Sequence, residues 1–99
     1  LKALTMAEER HSFIPEVNMT AGPNPFTEEI SLWFHESPGH LTVTVTAMSG
    51  RTVIRKYFPA FAARSLKIDG LETLAQGTYL VRVVTNQGDK VFKMIRINR

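Results

Sequence analysis

The sequence predicts an all-β domain, built as an antiparallel β-sandwich of about seven short strands. Apolar and polar residues alternate from about residue 30 onward, turn residues recur about every eight to twelve positions, and no stretch has a convincing helical period. With 99 residues, of which 43% are hydrophobic, the chain is long enough to bury one modest core. We therefore expect a single β domain.

The entry to this domain is rich in proline. A short strand is predicted around residues 17–19, and Pro23-Asn24-Pro25 follows it. Because neither proline can donate a ladder hydrogen bond, this segment is predicted to be a rigid turn or an irregular edge segment. Residues 1–16 are predicted to be a linker or an upstream tail, and residues 17–99 the domain itself.

Period-two segments then succeed one another to the end of the chain. The strongest signal covers residues 40–47, where leucine and valine alternate with threonine. Pro59 is expected to end the strand that starts at residue 52, and residues 70–77 to form a compact turn with room for one helical turn. The predicted strands are residues 30–35, 40–47, 52–58, 65–69, 78–85 and 90–97. This order favours an immunoglobulin-like sandwich, with a small closed barrel as the alternative.

Charge is distributed unevenly along the chain. The net charge is +3, yet residues 1–49 hold two basic and six acidic residues, whereas residues 50–99 hold ten basic and three acidic ones. Such an asymmetry is compatible with an acidic partner. The simpler interpretation, which charge alone favours, is a set of solvated faces and an edge strand that cations protect from pairing.

The residues form no pattern typical of catalysis. There is no cysteine, so disulfides, thiol nucleophiles and thiolate metal sites are excluded. His35 and His40 are separated by Pro38-Gly39, which breaks the helix that a zinc-protease motif needs, so they are predicted to be surface histidines. The aromatic residues near the basic second half fit core positions better than a nucleic-acid platform. We predict no enzyme, no cofactor, no metal and no nucleic-acid partner.

Four local patterns remain to be explained. The first is Pro23-Asn24-Pro25 followed by Phe26 and a polar run, and the second is a valine-threonine strand leading into Ser49-Gly50-Arg51. The third runs from Ile68-Asp69-Gly70-Leu71 to Leu74-Ala75-Gln76-Gly77-Thr78-Tyr79. The fourth is a turn at Gly88 followed by Lys93-Met94-Ile95 and the basic ending Arg96-Ile97-Asn98-Arg99.

In this order and spacing, the four patterns resemble the C-terminal sorting domain of the type IX secretion system. The resemblance covers about residues 17–99, and the third pattern is the most specific part of it. The ending departs from the lysine-terminated aliphatic run that is usual in the family, although its positive charge is kept. The sorting-motif residues that the resemblance implies are Pro23, Asn24, Pro25, Gly50, Leu74, Gly77, Tyr79, Lys93, Arg96 and Arg99.

The resemblance also implies a function. A cargo protein N-terminal to the domain would pass through the periplasm and the type IX translocon to the outer membrane and cell surface, or be secreted. An outer-membrane shuttle protein would present the domain to a sortase, which usually cuts it off and joins the cargo to lipopolysaccharide. We expect the cut before Pro23. Residues 90–99 are expected to be recognised by strand addition, with Lys93, Arg96 and Arg99 meeting acidic groups, and could also pair two copies into a homodimer.

The alternative from another class is an immunoglobulin-like binding or stabilising module of a larger extracellular protein. Trp33 and Tyr57 would be its binding platform if both were exposed side by side. The two hypotheses predict different surfaces, because a binding module needs clustered exposed aromatic side chains.

Overall fold

A computed structural model describes residues 18–98 of the chain. The fold in this range consists of seven strands and one turn of 3-10 helix, which confirms the predicted all-β class. The predicted linker of residues 1–16, together with Val17 and Arg99, lies outside the described residues. The strands are β1 (Met19–Gly22), β2 (Ile30–Phe34), β3 (Gly39–Ala47), β4 (Thr52–Phe61), β5 (Ser65–Ile68), β6 (Gly77–Thr85) and β7 (Gly88–Arg96).

The strands form two antiparallel sheets, with strand orders β1-β2-β5 and β4-β3-β6-β7. Period-two alternation decides which side chains lie between the sheets, because successive residues of a strand point to opposite faces. On β3, Leu41, Val43 and Val45 are fully buried, whereas the threonines between them are not. They join Leu32 of β2 in one apolar core. The arrangement is the predicted immunoglobulin-like sandwich rather than a closed barrel.

One predicted boundary is wrong, because β4 does not end at Pro59 but continues to Phe61. The β3–β4 register shifts between Gly39 and Leu41, so Pro59 lies at an irregularity of an edge strand. A proline is tolerated there because an edge position does not require the missing N–H. The extension brings Phe61 to 6.1 Å from Phe34, measured between ring centroids.

The hairpin before the last strand is also tighter than predicted. Thr85 pairs with Gly88, so only two residues form the loop and β7 begins two positions before the predicted residue 90. The predicted first strand around residues 17–19 is observed at Met19–Gly22. The compact turn of residues 70–77 contains the predicted helical turn as a 3-10 helix at Leu71–Thr73.

Candidate recognition surface

Parts of all four sequence patterns lie at one end of the four-stranded sheet, and the Gly88 turn of the fourth pattern lies at the other end, where Gly88 pairs with Thr85. Ala47 is opposite Tyr79 in the β3–β6 ladder, so the β3–β4 turn that holds Gly50 lies at the end where β6 begins. Gly77 is opposite Arg96, which places the end of β7 there as well. Three of the patterns are in direct contact, whereas Gly50 lies at the same end but on the far side of β3. We call the contact between residues 24–26 and residues 93–97 the terminal clamp.

Asn24 forms the first part of the terminal clamp with its side chain. Its Nδ2 donates to the carbonyl oxygen of Lys93 at 3.1 Å, and its Oδ1 accepts from the N–H of Ile95 at 2.9 Å. The side-chain amide thus replaces the peptide group of a neighbouring strand. Pro23 and Pro25 flank it, are exposed, and each follow a cis peptide bond. Neither proline leaves a donor unpaired at this edge.

Phe26 forms the second part of the clamp with its backbone. Its N–H donates to the carbonyl oxygen of Ile95 at 2.8 Å, and its carbonyl oxygen accepts from the N–H of Ile97 at 3.0 Å, which makes a parallel bridge to β7. The fully buried ring meets Tyr79 edge to face, with centroids 6.2 Å apart. Phe26 is not among the predicted sorting-motif residues, although a large aromatic residue directly after the proline pair is a sequence signal for a buried anchor.

The spacing from Leu74 to Tyr79 has a structural explanation. Leu74 packs partly buried against the core, and the Tyr79 hydroxyl donates to the carbonyl oxygen of Ala75 at 2.6 Å. Gly77 starts β6 with φ of 149°, and no atom lies within 4 Å of where its Cβ would be. Glycine is therefore required here for its backbone conformation and not for space. The hydrogen bond from Tyr79 thus fixes the turn that contains Ala75 to the first residues of β6.

Arg96 is buried, with 5% of its surface exposed. Its guanidinium donates to the carbonyl oxygens of Leu71 (3.0 Å), Glu72 (2.9 Å) and Ile97 (3.0 Å), and to Oδ1 of Asn98 (2.9 Å). These four acceptors satisfy a cation that would be costly to bury without partners. Arg96 therefore ties the end of β7 to the 3-10 turn.

Acidic side chains surround the turn that Arg96 holds. The N–H of Leu71 donates to the carbonyl oxygen of Glu28 at 3.0 Å, which fixes the turn beside the segment before β2. The carboxylates of Glu28, Glu29, Asp69 and Glu72 line an open groove here.

The three cations proposed for recognition have different positions. Arg96 is buried with its donors engaged, Lys93 is exposed on β7, and Arg99 lies outside the described residues. Within residues 18–98, the Lys93 side chain makes no hydrogen bond or ion pair. Of these three residues, Lys93 is therefore the best placed to contact an acidic group of a partner.

A comparison with known families bears directly on this end of the fold. A family model described as the secretion system C-terminal sorting domain matches residues 22–98. The chain belongs to this family, the type IX sorting domains. No curated protein sequence shows a significant match. The match begins at Gly22, next to the clamp segment, and ends at Asn98, whose side chain contacts Arg96.

Membership gives the sorting domain its general role. A type IX sorting signal implies a cargo N-terminal to it and export by the secretion system to the cell surface or the medium. A sorting-signal family is also not an enzyme family. Among the described residues, no helix is long and apolar enough to span a membrane.

The two aromatic residues that the binding-module alternative needs side by side lie on different sheets of the sorting domain. Trp33 lies on the outer face of the β1-β2-β5 sheet, since Leu32 and Phe34 beside it point into the core. Tyr57 is paired with Thr42 on the outer face of the other sheet. The two exposed rings therefore lie on opposite sides of the sandwich and do not form one platform. In the part of the chain that the structure describes, no group of three His, Cys, Asp or Glu side chains could hold a metal ion.

Proposed function

We propose that the domain of residues 17–99 is recognised in its folded form at the terminal clamp, and that this recognition directs the cargo through the type IX system. The observation that carries the proposal is the contact between the first and the last sequence pattern at Asn24 and Ile95. The translocon and an outer-membrane shuttle protein would bind this end after transit through the periplasm. A sortase would then cut the chain, and the cargo would be joined to lipopolysaccharide.

The motif residues divide into two groups that support recognition of the folded state. Tyr79 and Arg96 are buried and shape the end of the fold from inside, whereas Asn24 and Lys93 are displayed on its surface. Asn24 and Lys93 are 69 positions apart in the sequence. Only folding therefore brings them together. A partner that contacts both of them distinguishes the folded domain from the unfolded chain.

The hydrogen bonds of the entry segment bear on where a sortase can cut. Proteases bind extended, unpaired backbone, and Met19–Gly22 is paired with β2 along its whole length. The carbonyl oxygen of Asn18 also accepts from the N–H of His35 at 2.9 Å. We therefore propose that the sortase cuts upstream of Asn18. This is a narrower range than the expectation of a cut anywhere before Pro23.

A transplant experiment tests the proposal. A signal peptide and a folded reporter are fused to residues 1–99 in a bacterium with type IX machinery, and external protease access and reporter mass are measured. We expect surface exposure and a mass shift that shows cleavage and lipopolysaccharide attachment. A reporter that remains in the periplasm, although its domain is folded, would contradict the sorting function.

Two variants of the fusion separate recognition from folding. Deleting residues 97–99 removes the Ile97 N–H that donates to Phe26, so it weakens the clamp as well as the terminal charge. Lys93→Glu changes only an exposed side chain and leaves all clamp hydrogen bonds in place. We expect both variants to stay in the periplasm. Normal secretion of Lys93→Glu would show that the exposed charge is not part of the signal.

A further inference from the structure

The outer edge of β7 is covered along only half of its length. Asn24 and Phe26 bind the backbone of Lys93, Ile95 and Ile97, so these residues direct their peptide groups away from β6. The β6–β7 register is unbroken back to Gly88, and alternation therefore directs the backbone groups of Asp89 and Val91 outward as well. Within residues 18–98, these outward groups have no hydrogen-bond partner. A short piece of strand edge is left open for pairing.

The side chains above this open edge form an alternating apolar and basic row. Val91 is 54% exposed and Ile95 is 43% exposed, and Lys93 lies between them on the same outer face. The one carboxylate of the row, on Asp89, is already paired with Arg82 at 2.7 Å. The row therefore offers two exposed aliphatic side chains and an unpaired cation to a partner of complementary chemistry.

We propose that residues 89–93 form a strand-addition site for a short extended peptide of a partner protein. The peptide would pair with the outward backbone groups of Asp89 and Val91, and would place a carboxylate side chain beside Lys93 and an aliphatic one beside Val91. Cross-strand neighbours on one face contact each other, so alternate positions of the peptide decide its specificity. The site's use in sorting rests on the proposed function, whereas its existence does not.

The covered half of the edge argues for a peptide and against a second copy of the domain. In a two-fold antiparallel pair centred on Val91, Gln87 of the second copy would fall opposite Ile95. The backbone of Ile95 is already bound by Asn24 and Phe26, so the second copy would have to displace the terminal clamp. A short peptide can end at Lys93 and avoid this conflict.

Peptide titration of the isotope-labelled 99-residue chain tests the site by NMR. The probe is the capped pentapeptide Glu-Thr-Val-Thr-Ser, which in antiparallel pairing places its glutamate opposite Lys93 and its valine opposite Val91 and ends before the clamp. The control peptide carries lysine instead of glutamate. We expect the Asp89 and Val91 amides to shift and to exchange more slowly with the probe. The control should bind about fivefold more weakly or worse, because an attractive cross-strand pair is replaced by a repulsive one. Equal binding of both peptides would refute the charge-specific site.

A matched pair of variants tests the backbone contact. Val91→Pro removes an outward N–H that the β6–β7 ladder does not use, whereas Val91→Thr keeps it. We expect the proline variant to remain folded and lose peptide binding, and the threonine variant to bind within about twofold of the unmodified chain. Slow exchange of the Val91 amide in the free chain would overturn the proposal, since the edge would already be covered. Failure of the reporter fusion to be secreted would refute the sorting function without affecting this result.

Discussion

Replacing Arg96 with methionine removes a buried cation that ties the last strand to the 3-10 turn. Methionine keeps a similar length and an apolar stem, so the change mainly deletes the guanidinium and its four hydrogen bonds. Two of these bonds, to the carbonyl oxygens of Leu71 and Glu72, join segments that are 25 and 24 positions apart. Their loss should loosen the end of the fold that contains the terminal clamp.

The magnitude follows from these two long-range bonds. A hydrogen bond from a charged donor contributes about 1.5–3 kcal/mol to stability. Part of this loss is recovered, because methionine carries no charge that has to be removed from water on folding. We expect Arg96→Met to lower the free energy of unfolding by about 2–4 kcal/mol. For a domain of this size, that corresponds to a fall in Tm of roughly 10–25 °C.

Lys93→Met is the matched control. The same residue is introduced two positions earlier on β7, where the lysine is exposed, so a change within about 0.5 kcal/mol is expected. Urea denaturation and thermal melting, both followed by circular dichroism, measure the two variants against the unmodified chain. If Arg96→Met were no more destabilising than Lys93→Met, the assignment of Arg96 as an internal tie would be refuted.

Two further substitutions test the remaining contacts. Asn24→Ala should cost about 1–2 kcal/mol and accelerate hydrogen exchange of the Ile95 amide, because both side-chain bonds of the clamp are lost; unchanged exchange would contradict the clamp. Tyr79→Phe should cost about 1 kcal/mol in urea denaturation, since only the hydroxyl bond to Ala75 is removed. A loss of several kcal/mol for Tyr79→Phe would instead indicate that the ring itself had moved.

The strands could be predicted well because they depend on local alternation. The β3 pattern of buried leucine and valine beside threonine is visible in the sequence and is found in the structure. Pro59 misled the prediction because a proline ends a central strand but not an edge strand. Whether β4 lies at an edge is decided by the pairing order of the sheet, which local sequence does not contain.

The site could be predicted only in part for a similar reason. Asn24 was selected through the family resemblance, but its partner Ile95 lies 71 positions away, and no local pattern reveals that contact. Arg96 is predicted to be one of the outward cations, although the alternation along β7 indicates the opposite. It shares its parity on β7 with the buried Met94, so its side chain is directed inward. A positive charge alone favours an exposed position, and the two-residue period of the strand overrides that preference here.

The terminal clamp joins the two ends of the sorting domain, so both segments must be synthesised before it can form. Its acceptors and donors at the end of β7 and directly after it belong to residues 93–97, the C-terminal part of the matched sorting domain, whereas residues 24–26 belong to its N-terminal part. The clamp and the Arg96 contacts can therefore form only after the sorting domain has been made almost to its end. A partner that requires Asn24 and Lys93 side by side would bind a complete, folded domain and would leave truncated or unfolded chains behind.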